Sequence, residues 1–401
     1  MTRTTTTLVL GGDGYLGWPL AVALALRQPE TRVVIVDNLA RRRLVAARGG
    51  NSITPIAGPE QRLAAYYRFA GRDNLEFESH DVATPALSEL VARRRPTLIY
   101  HLAQQASAPF SMTGVDEAVH TLVNKEVGNM RLLWAVRDHV PDAHVVKLGS
   151  FGEYAQCGLE IPEGYFVPFY ADRRADRPVP FPREADDIYH VSKINDTNYA
   201  ALACRKWGLR ITDVMQCTAF GASTRATDGA AEFDTRLDYD AVFGTVVNRF
   251  AAQIAVGQPM TIYGTGHQRT GLMALDDAVE SLVQLGERPP GNGEHRVVNN
   301  VTERDLSINE IAATLRLVAA DRGLAAALSR SHDPRGEATP SKPTHAIRAD
   351  HVAAHLKPTP FVEALDRLLA VVLRHRERII PAAFPPTIAW TPDDDRQLAA
   401  E

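Results

Sequence analysis

The amino-acid sequence predicts an α/β fold, in which a doubly wound parallel sheet carries a smaller, interleaved second lobe. Three observations favour this fold. Short apolar segments alternate with helical segments through the first half of the chain, a glycine-rich turn joins the first apolar segment to the first helix, and the alternation becomes irregular beyond residue 155. Short apolar strands separated by helices are typical of a parallel sheet that is covered on both faces.

The first half of the chain contains the alternating elements. Strands are predicted at TLVLGG, RVVIVD, LEFESHDV, TLIYHLA and AHVVKLGS, and helices at GWPLAVALAL, ALSELVARRRP and VGNMRLLWAVRDHV. The short length and the β-branched residues of segments such as VVIV favour a strand over a buried helix.

The second half begins with a segment rich in proline and charge, GLEIPEGYFVPFYADRRADRPVPFPREADD, which predicts a long loop over a site. The elements predicted after it are a helix at YHVSKINDTNYAALACRKWG, strands at RITDVMQ, MTIYG and HRVVNN, and helices at NRFAAQIAVG, SINEIAATLRLVAADRG and PFVEALDRLLAVVLRHRERI. We expect residues 1–217 to form the sheet domain and residues 218–401 mainly the second lobe, with some elements returning to the sheet.

The composition is that of an ordinary soluble protein. Of 401 residues, 45% are hydrophobic and 23% are charged. The formal net charge of -4 gives no reason to expect nucleic acid or an anionic membrane as a partner. The opening MTRTTTT is too short and polar for a signal peptide, and no apolar run approaches the ~20 residues of a membrane span. Three cysteines without metal-ligand spacing predict reduced packing residues, no metal site and a cytoplasmic location.

The turn GGDGYLGW carries the first functional signal. Gly11, Gly14 and Gly17 follow a predicted strand and open a predicted helix, where bare backbone lets a pyrophosphate approach the helix N-terminus. Asp37 follows the next strand, twenty residues after Gly17, in the position of a carboxylate that binds an adenosine ribose. Asp81 is expected to end a third strand, near an adenine. This arrangement predicts a Rossmann dinucleotide site.

The acidic Asp37 favours NAD over NADP, because a carboxylate repels a 2′-phosphate. Arg41, Arg42 and Arg43 follow closely and argue in the opposite direction, unless they begin a solvated helix or help to hold the cofactor. We expect NAD.

The pentapeptide YHVSK places Tyr189 and Lys193 four positions apart, on one face of a helix. A lysine ammonium near a phenol stabilises the phenolate, so that the tyrosine can exchange a proton near neutral pH. Ser150, at the end of a predicted strand, adds a hydroxyl beside the substrate oxygen. Together these three residues resemble the catalytic triad of the extended short-chain dehydrogenase/reductase superfamily, and Asn124 matches a further recurring position.

Longer segments narrow the resemblance. The segments GGDGYLGW, VDNLARR, SITPIA, SAPFSM, VKLGSFGEY, IPEGYF, IYHVSK, RLDYDAVFGTVVNRF and DPRGE occur in the order that is typical of the UDP-sulfoquinovose synthase family, over residues 8 to 390. The resemblance implies NAD-dependent oxidation of a nucleotide sugar at C4, loss of water across C5 and C6, addition of sulfite at C6 and reduction at C4. NAD then cycles without net consumption.

The resemblance also implies site residues. Cofactor contacts are expected, beside the residues already named, at Tyr15, Leu16, Asn38, Val82, Leu102 and Ala103. Substrate contacts are expected at Gln105, Ser150, Gln216, Asp238, Tyr239, Asn248, Arg249, Arg269 and Arg335. Sugar 4,6-dehydratases place an Asp-Glu pair where this chain has Phe151 and Gly152. Glu153 comes one position later; it is either a structural carboxylate or, as we expect, an acid–base catalyst.

Two departures from the family pattern leave the reaction open. Alanine stands at position 106 where the family has arginine, and QRTGLMALDD replaces QTRGYLDIRD, which moves Arg269 one position early and puts Ala274 in place of an acid. Both changes are explained by drift, or by a changed substrate or a missing sulfite step. The alternatives are a sulfite-independent dehydratase that releases a 5,6-alkene of a sugar or nucleoside, and a 4-epimerase. By analogy with the superfamily, we expect a homodimer.

Overall fold

The computed structural model describes residues 5–154, 159–227, 230–332 and 347–385. Its centre is a seven-stranded parallel sheet with the strand order β14-β10-β5-β4-β1-β2-β3. The strands of this sheet are β1 (Thr6–Leu10), β2 (Arg32–Val36), β3 (Leu75–Glu78), β4 (Leu98–His101), β5 (His144–Ser150), β10 (Arg210–Gln216) and β14 (His295–Asn300).

Helices cover both faces of this sheet, and their apolar faces form two of its cores. They are α1 (Gly17–Arg27), α3 (Pro59–Ala70), α4 (Ala86–Arg94), α7 (Gly128–His139), α8 (Ile188–Trp207), α10 (Leu275–Gly286) and α12 (Asp350–His355). Helices α2 (Ala40–Ala47) and α5 (Ala108–Ser111) pack in a smaller apolar cluster with Val242 and Phe243, and α6 (Val115–Leu122) follows α5. A π-helical turn, Val123–Val127, joins α6 to α7, and a single turn of 3-10 helix, Phe151–Glu153, follows β5.

A second lobe packs around its own apolar core. Its helices are α9 (Val246–Ala255), α11 (Ile308–Asp321) and α13 (Phe361–Arg374), and its strands are β11 (Thr218–Phe220), β12 (Met260–Tyr263), β13 (Arg269–Ala274), β15 (Glu303–Ser307) and β16 (Leu328–Ser331). Between the two lobes, residues 159–187 carry the short strands β6 (Tyr165–Phe166), β7 (Phe169–Tyr170), β8 (Arg173–Arg174) and β9 (Val179–Pro180). The division at residue 217 stays a prediction; β14 and α10 pack with the large sheet, whereas Ile53 belongs to the core of the second lobe.

The predicted fold class is confirmed. Sequence reasoning missed helices α2, α3, α5, α6, α10 and α12, of which α5 and α12 have only 4 and 6 residues. Within the described residues, none of the helices is long and apolar enough to cross a membrane.

Candidate active site

The predicted cofactor residues lie along the carboxyl edge of the large sheet. The glycine turn follows β1, and a Cβ atom on Gly17 would lie 2.1 Å from the carbonyl oxygen of Gly11, which brings α1 close to β1. Leu16 is buried, and Leu102 and Ala103 lie directly behind the turn, since the Leu102 N–H donates to the Leu10 oxygen. Tyr15 joins the two lobes, because its hydroxyl donates to the Gly221 oxygen over 2.7 Å.

The adenosine side is formed by the residues after β2 and β3. Asp37 accepts hydrogen bonds from the N–H groups of Leu39 (2.7 Å) and Asp13 (3.0 Å). Asn38 donates to Asp81 over 3.0 Å. We predicted that Asp81 ends a strand, and this is wrong, because β3 stops at Glu78. The Asp81 side chain instead accepts a hydrogen bond from the Ala83 N–H. Val82 is buried beside Gly128.

The three arginines after Asp37 each have a partner. Arg41 donates to Asp238 over 3.0 Å, and Arg43 donates to the backbone oxygen of Asn38. Arg42 forms a two-point ion pair with Asp13. Their charges are therefore engaged by the protein itself.

This edge suits NAD. The first turn of α1 carries no acidic side chain, and its N-cap residue, Leu16, makes no side-chain capping bond, so the amide groups and the positive end of the helix are available to a pyrophosphate. Asp37 stands where a ribose would lie, and Tyr189 and Lys193 lie across the edge, where the nicotinamide half would bind.

Ser150, Tyr189 and Lys193 come together where β5 ends and α8 begins. Lys193 is buried and donates to the side-chain oxygen of Gln104 and to the backbone oxygen of Leu148. Its Nζ lies 5.8 Å from the centre of the Tyr189 ring. A second lysine, Lys125, lies closer, 3.2 Å from the ring centre, and donates to the Tyr189 backbone oxygen over 2.8 Å. Sequence reasoning missed Lys125, which lies on the π-helical turn beside Asn124.

The electrostatics of this group are dominated by burial. Burial, followed by Glu153, Asp187 and Asp196, raises the pKa of Tyr189. Burial, and next the charge of Lys147, lowers the pKa of Lys193 to about 8. Tyr189 therefore holds its proton firmly by itself, and further positive charge beside it, such as that of an oxidised nicotinamide ring, would be needed to lower its pKa.

A histidine–aspartate pair that the sequence analysis did not identify completes the site. His190 Nδ1 lies 2.6 Å from Asp187 Oδ2, and its Nε2 lies 3.2 Å from the Ser150 hydroxyl. Although burial alone would raise it, the pKa of Asp187 is lowered by His190 and Lys125. Asp187 is also the N-cap of α8 and accepts the His190 N–H over 2.8 Å. The sequence signal that could have identified this pair is the aspartate three positions before a histidine at the start of a predicted helix.

Gly152 makes room for this histidine. A Cβ atom at position 152 would lie 2.0 Å from His190 Nε2. The imidazole therefore occupies the space that a side chain at 152 would need. A side chain at position 152, such as the glutamate of the dehydratase Asp-Glu pair, would collide with this imidazole.

The predicted acid–base role of Glu153 does not agree with its surroundings. Its carboxylate is fully buried and accepts hydrogen bonds from the Ser150 N–H (2.8 Å), from Thr197 (2.9 Å) and from Arg183 (3.1 Å). With both oxygens engaged away from the cleft, Glu153 is a positioning residue that holds the Ser150 turn. The structural interpretation is the better one.

Residues after β4 and β10 reach the same edge but use their polar groups internally. The Gln105 N–H donates to Asn124 over 2.6 Å, and its side chain bonds Ser107 and Thr121. Gln216 accepts from Asn300 over 2.8 Å. Both were predicted to bind substrate, and that role stays a prediction.

The predicted substrate residues of the second lobe are spread out. Asp238 is buried between Arg41 and Arg236; although burial alone would raise it, its pKa is lowered by these two arginines. Asn248 accepts the Gly221 N–H, and Arg249 stacks 4.8 Å from the ring centre of Tyr263. These contacts leave Asp238, Asn248 and Arg249 at the junction of the lobes, and their substrate role stays a prediction.

One further assignment is corrected, one stays a prediction, and one cannot be examined. Tyr239 is fully buried, donates to Asn51 and accepts the Ile380 N–H, so it is a packing residue. Arg269 forms ion pairs with Asp305 and Glu310, and its substrate role stays a prediction. Arg335 lies outside the described residues.

Comparisons with known proteins agree with this geometry. The profile of the "NAD dependent epimerase/dehydratase family" matches residues 7–299. The chain is 34% identical to a chloroplastic UDP-sulfoquinovose synthase of Spinacia oleracea, over 96% of this chain and 78% of the relative. It is 37% identical to a UDP-sulfoquinovose synthase of Sulfolobus acidocaldarius, over 82% of this chain and 83% of the relative.

Solved structures show the same fold at low identity. A UDP-glucose 4-epimerase of Thermotoga maritima, determined with UDP-glucose, superimposes with a TM-score of 0.65 at 18% identity, covering 92% of this chain and 99% of that one. One from Bifidobacterium longum, determined with NAD+ and UDP, gives a TM-score of 0.67 at 16% identity, covering 93% and 98%. The chain thus belongs to the NAD-dependent epimerase/dehydratase family, and within it to the UDP-sulfoquinovose synthase family.

Proposed function

We propose that this enzyme converts UDP-glucose and sulfite into UDP-sulfoquinovose, with NAD as a recycled cofactor. The observation that carries the proposal is the His190–Asp187 pair beside Ser150, separate from Tyr189 and Lys193. Oxidation at C4 and elimination across C5 and C6 need two different proton-transfer groups, and both are present at one strand end. The sequence similarity to two UDP-sulfoquinovose synthases supports the substrate.

Tyr189 and Ser150 act on the C4 oxygen. Bound NAD would supply a reversible hydride acceptor. Ser150 orients the C4 hydroxyl, and Tyr189 takes its proton as the C4 hydrogen leaves with its electron pair. Lys193, whose Nζ lies 5.8 Å from the centre of the Tyr189 ring, stabilises the phenolate.

His190 acts one carbon further along. Its Nε2 is 3.2 Å from the Ser150 hydroxyl. When the Ser150 hydroxyl donates to the C4 oxygen of the sugar, His190 therefore lies near C5. The C4 ketone acidifies the C5 hydrogen, and His190 takes that proton while Asp187 stabilises the imidazolium. The C6 hydroxyl then takes up a proton and leaves as water, which gives an enone. Sulfite adds to C6 of this enone while C5 regains a proton. Return of the hydride to C4 and of a proton to its oxygen restores the C4 hydroxyl.

A second candidate omits sulfite. Ala106 is exposed in the loop between Gln105 and Ser107, where the family has arginine, and Arg269 is paired with Asp305. Two cations that could hold an anion are therefore missing from the cleft. Such an enzyme would reduce the C4 carbonyl of the enone and release a product that keeps the C5–C6 double bond.

Mass spectrometry of the products distinguishes these reactions. The purified enzyme is incubated with UDP-glucose, and with a panel of other nucleotide sugars and nucleosides, with and without sulfite. We expect a sulfonated product that requires sulfite. Loss of one water without sulfite identifies the alkene-forming dehydratase, and a product of unchanged mass that has gained no deuterium at C5 in deuterated water identifies a 4-epimerase. Tyr189→Phe should bind NAD normally and lose reduced-cofactor formation; near-normal turnover would contradict the role of Tyr189.

We also propose a homodimer formed through α6 and α8. The α6 residues Val115, Val119 and Leu122 lie on one helical face and are 76%, 51% and 37% exposed. Val191 and Leu202, on α8, are exposed as well. An apolar surface of this kind is typical of a contact between subunits. Light scattering should give twice the chain mass, and Val119→Asp with Leu122→Glu should give the mass of one chain.

We place the enzyme in the cytoplasm. Cys204 and Cys217 are buried free thiols, which suits a reducing compartment; Cys157 lies outside the described residues. Cell fractionation with tagged full-length protein tests this location.

A further inference from the structure

Asp13, inside the glycine turn, holds two arginines. Its carboxylate accepts hydrogen bonds from Arg42 Nε and Nη2, both at 2.6 Å, and from Arg62 Nη1 at 2.8 Å. Asp13 is 6% exposed, so this three-residue cluster, which we call the Asp13 clamp, is largely removed from water. Charge-assisted bonds with two-point geometry hold the side chains of such a cluster firmly.

The clamp leaves neither guanidinium free to move. Arg42 donates further to the backbone oxygens of Ile56 (3.2 Å) and Ala57 (2.9 Å). Arg62 is buried, and its guanidinium stacks 3.7 Å from the centre of the Trp18 ring. Both arginines are thereby fixed to the protein side of the turn.

The clamp lies directly beside the carboxylate that faces the adenosine ribose. The backbone N–H of Asp13 donates to Asp37 Oδ2 over 3.0 Å. In dinucleotide sites of this kind, the acid after β2 binds the 2′-hydroxyl of NAD, whereas a nearby arginine accommodates the 2′-phosphate of NADP. Burial raises the pKa of Asp37, and Arg42 lies close enough for its charge to oppose that shift, but its guanidinium is bound to Asp13.

We propose that Asp13 is a specificity-determining residue: by binding Arg42 and Arg62 it withholds them from a 2′-phosphate and so selects NAD over NADP. The charges of Arg42, Arg62, Asp13 and Asp37 sum to zero, so a 2′-phosphate beside Asp37 meets an Arg42 that is already bound to Asp13. Removal of the Asp13 charge leaves a net positive corner and frees Arg42 to turn toward the ribose. The proposal is independent of the sugar that the enzyme uses.

Asp13→Asn tests it with the full-length protein freed of bound cofactor. Calorimetry with NAD and NADP gives the two dissociation constants without any sugar. We expect the Kd for NADP to fall roughly 30-fold, the size of one hydrogen-bonded contact to a charged group. The Kd for NAD should stay within about threefold, because Asp37 is unchanged.

Two double variants make the result decisive. Asp13→Asn with Arg42→Ala should lose the gain in NADP binding, because Arg42 supplies the contact. Asp13→Asn alone leaves the buried Arg62 without a counter-charge, which destabilises a fold; Asp13→Asn with Arg62→Met removes that cation and keeps Arg42 free. If this variant binds NADP no more tightly than the parent, or if the gain persists without Arg42, the proposal is wrong. Since no sugar is present, that result would leave the proposed reaction untouched.

Discussion

Two histidine–aspartate pairs flank the turn that follows β5, and they differ in what surrounds them. In the first, His190 Nδ1 is bound to Asp187 at 2.6 Å and Nε2 faces the Ser150 hydroxyl. In the second, His295 Nε2 lies 3.6 Å from Asp213, and Nδ1 is paired with the Tyr165 hydroxyl at 2.8 Å. Thr197 connects Asp213 to Glu153, and Glu153 holds the Ser150 turn, so both pairs reach the same turn from opposite sides.

The difference is in the neighbours of the carboxylate. Asp213 is fully buried and forms an ion pair with Lys147 at 2.8 Å; although burial alone would raise it, Lys147 and His295 hold its pKa well below the ordinary value. Asp187 is matched by His190 itself, beside the cleft. The same two residue types therefore place a ring beside the Ser150 hydroxyl in one pair, and form a structural ion-pair layer in the other, where a lysine and a second ring partner enclose it.

The sharpest test exchanges each histidine for asparagine. His190→Asn should slow product formation about 1,000-fold, the size of a lost general acid–base group, while reduced cofactor still forms in a single turnover. His295→Asn should change product formation by no more than about threefold. Rapid-quench kinetics with mass detection measures both. Equal losses in the two variants would end the distinction between the pairs.

The buried layer should appear in stability rather than in chemistry. Lys147→Met removes the lysine counter-charge of the buried Asp213 and leaves it with His295 and Thr197 alone, so we expect the free energy of unfolding to fall by about 3–4 kcal/mol. Lys147→Met with Asp213→Leu should recover about 2 kcal/mol, because the buried charge is gone. Urea denaturation followed by circular dichroism measures both values. A loss below about 1 kcal/mol for Lys147→Met would show that the layer is open to water.

The carboxylate of the first pair can be neutralised with little change of shape. Asp187→Asn keeps an oxygen that caps α8 but removes the anion that stabilises the imidazolium. We expect product formation to fall about 30-fold, less than for loss of the ring itself. Steady-state rates at saturating substrate measure the effect. A loss as large as that of His190→Asn would mean that Asp187 mainly sets the position of the ring.

The smallest expected effect is a pH-dependent difference in stability. Because the folded pKa of Asp187 is lowered, its ionised form stabilises the protein above the ordinary aspartate pKa, and this contribution is lost as pH falls through the lowered value. Asp187→Asn should therefore lower the unfolding free energy by about 1 kcal/mol at neutral pH, and the difference should vanish in acid.

Asp37→Asn is the matched control, since burial, and next Asp13, raise the pKa of Asp37. A group of raised pKa opposes folding when it is ionised, so this variant should be as stable as the parent or more stable at neutral pH. Urea unfolding across a pH series measures both. If both variants changed the free energy of unfolding at neutral pH in the same direction, the comparison would be contradicted.

The sequence by itself determined the fold class, most strands and helices, the glycine turn and the Tyr189–Lys193 spacing. These features follow from local rules. Apolar residues repeat every two positions in a strand and every 3.6 positions in a helix, and a close turn needs glycine. They hold over a few neighbouring positions, and the large sheet assembles them at one edge because the carboxyl ends of parallel strands coincide.

The tertiary structure alone decided which side chains are free to do chemistry. His190 and Ser150 are 40 positions apart in sequence, and the space at Gly152 that admits the imidazole exists only once α8 packs against the turn after β5. Tyr239 and Arg269 match a family pattern, yet distant partners engage them, Tyr239 in packing and Arg269 in an ion pair. A local pattern places a side chain on an element, but burial and charge compensation depend on what the rest of the chain brings to it.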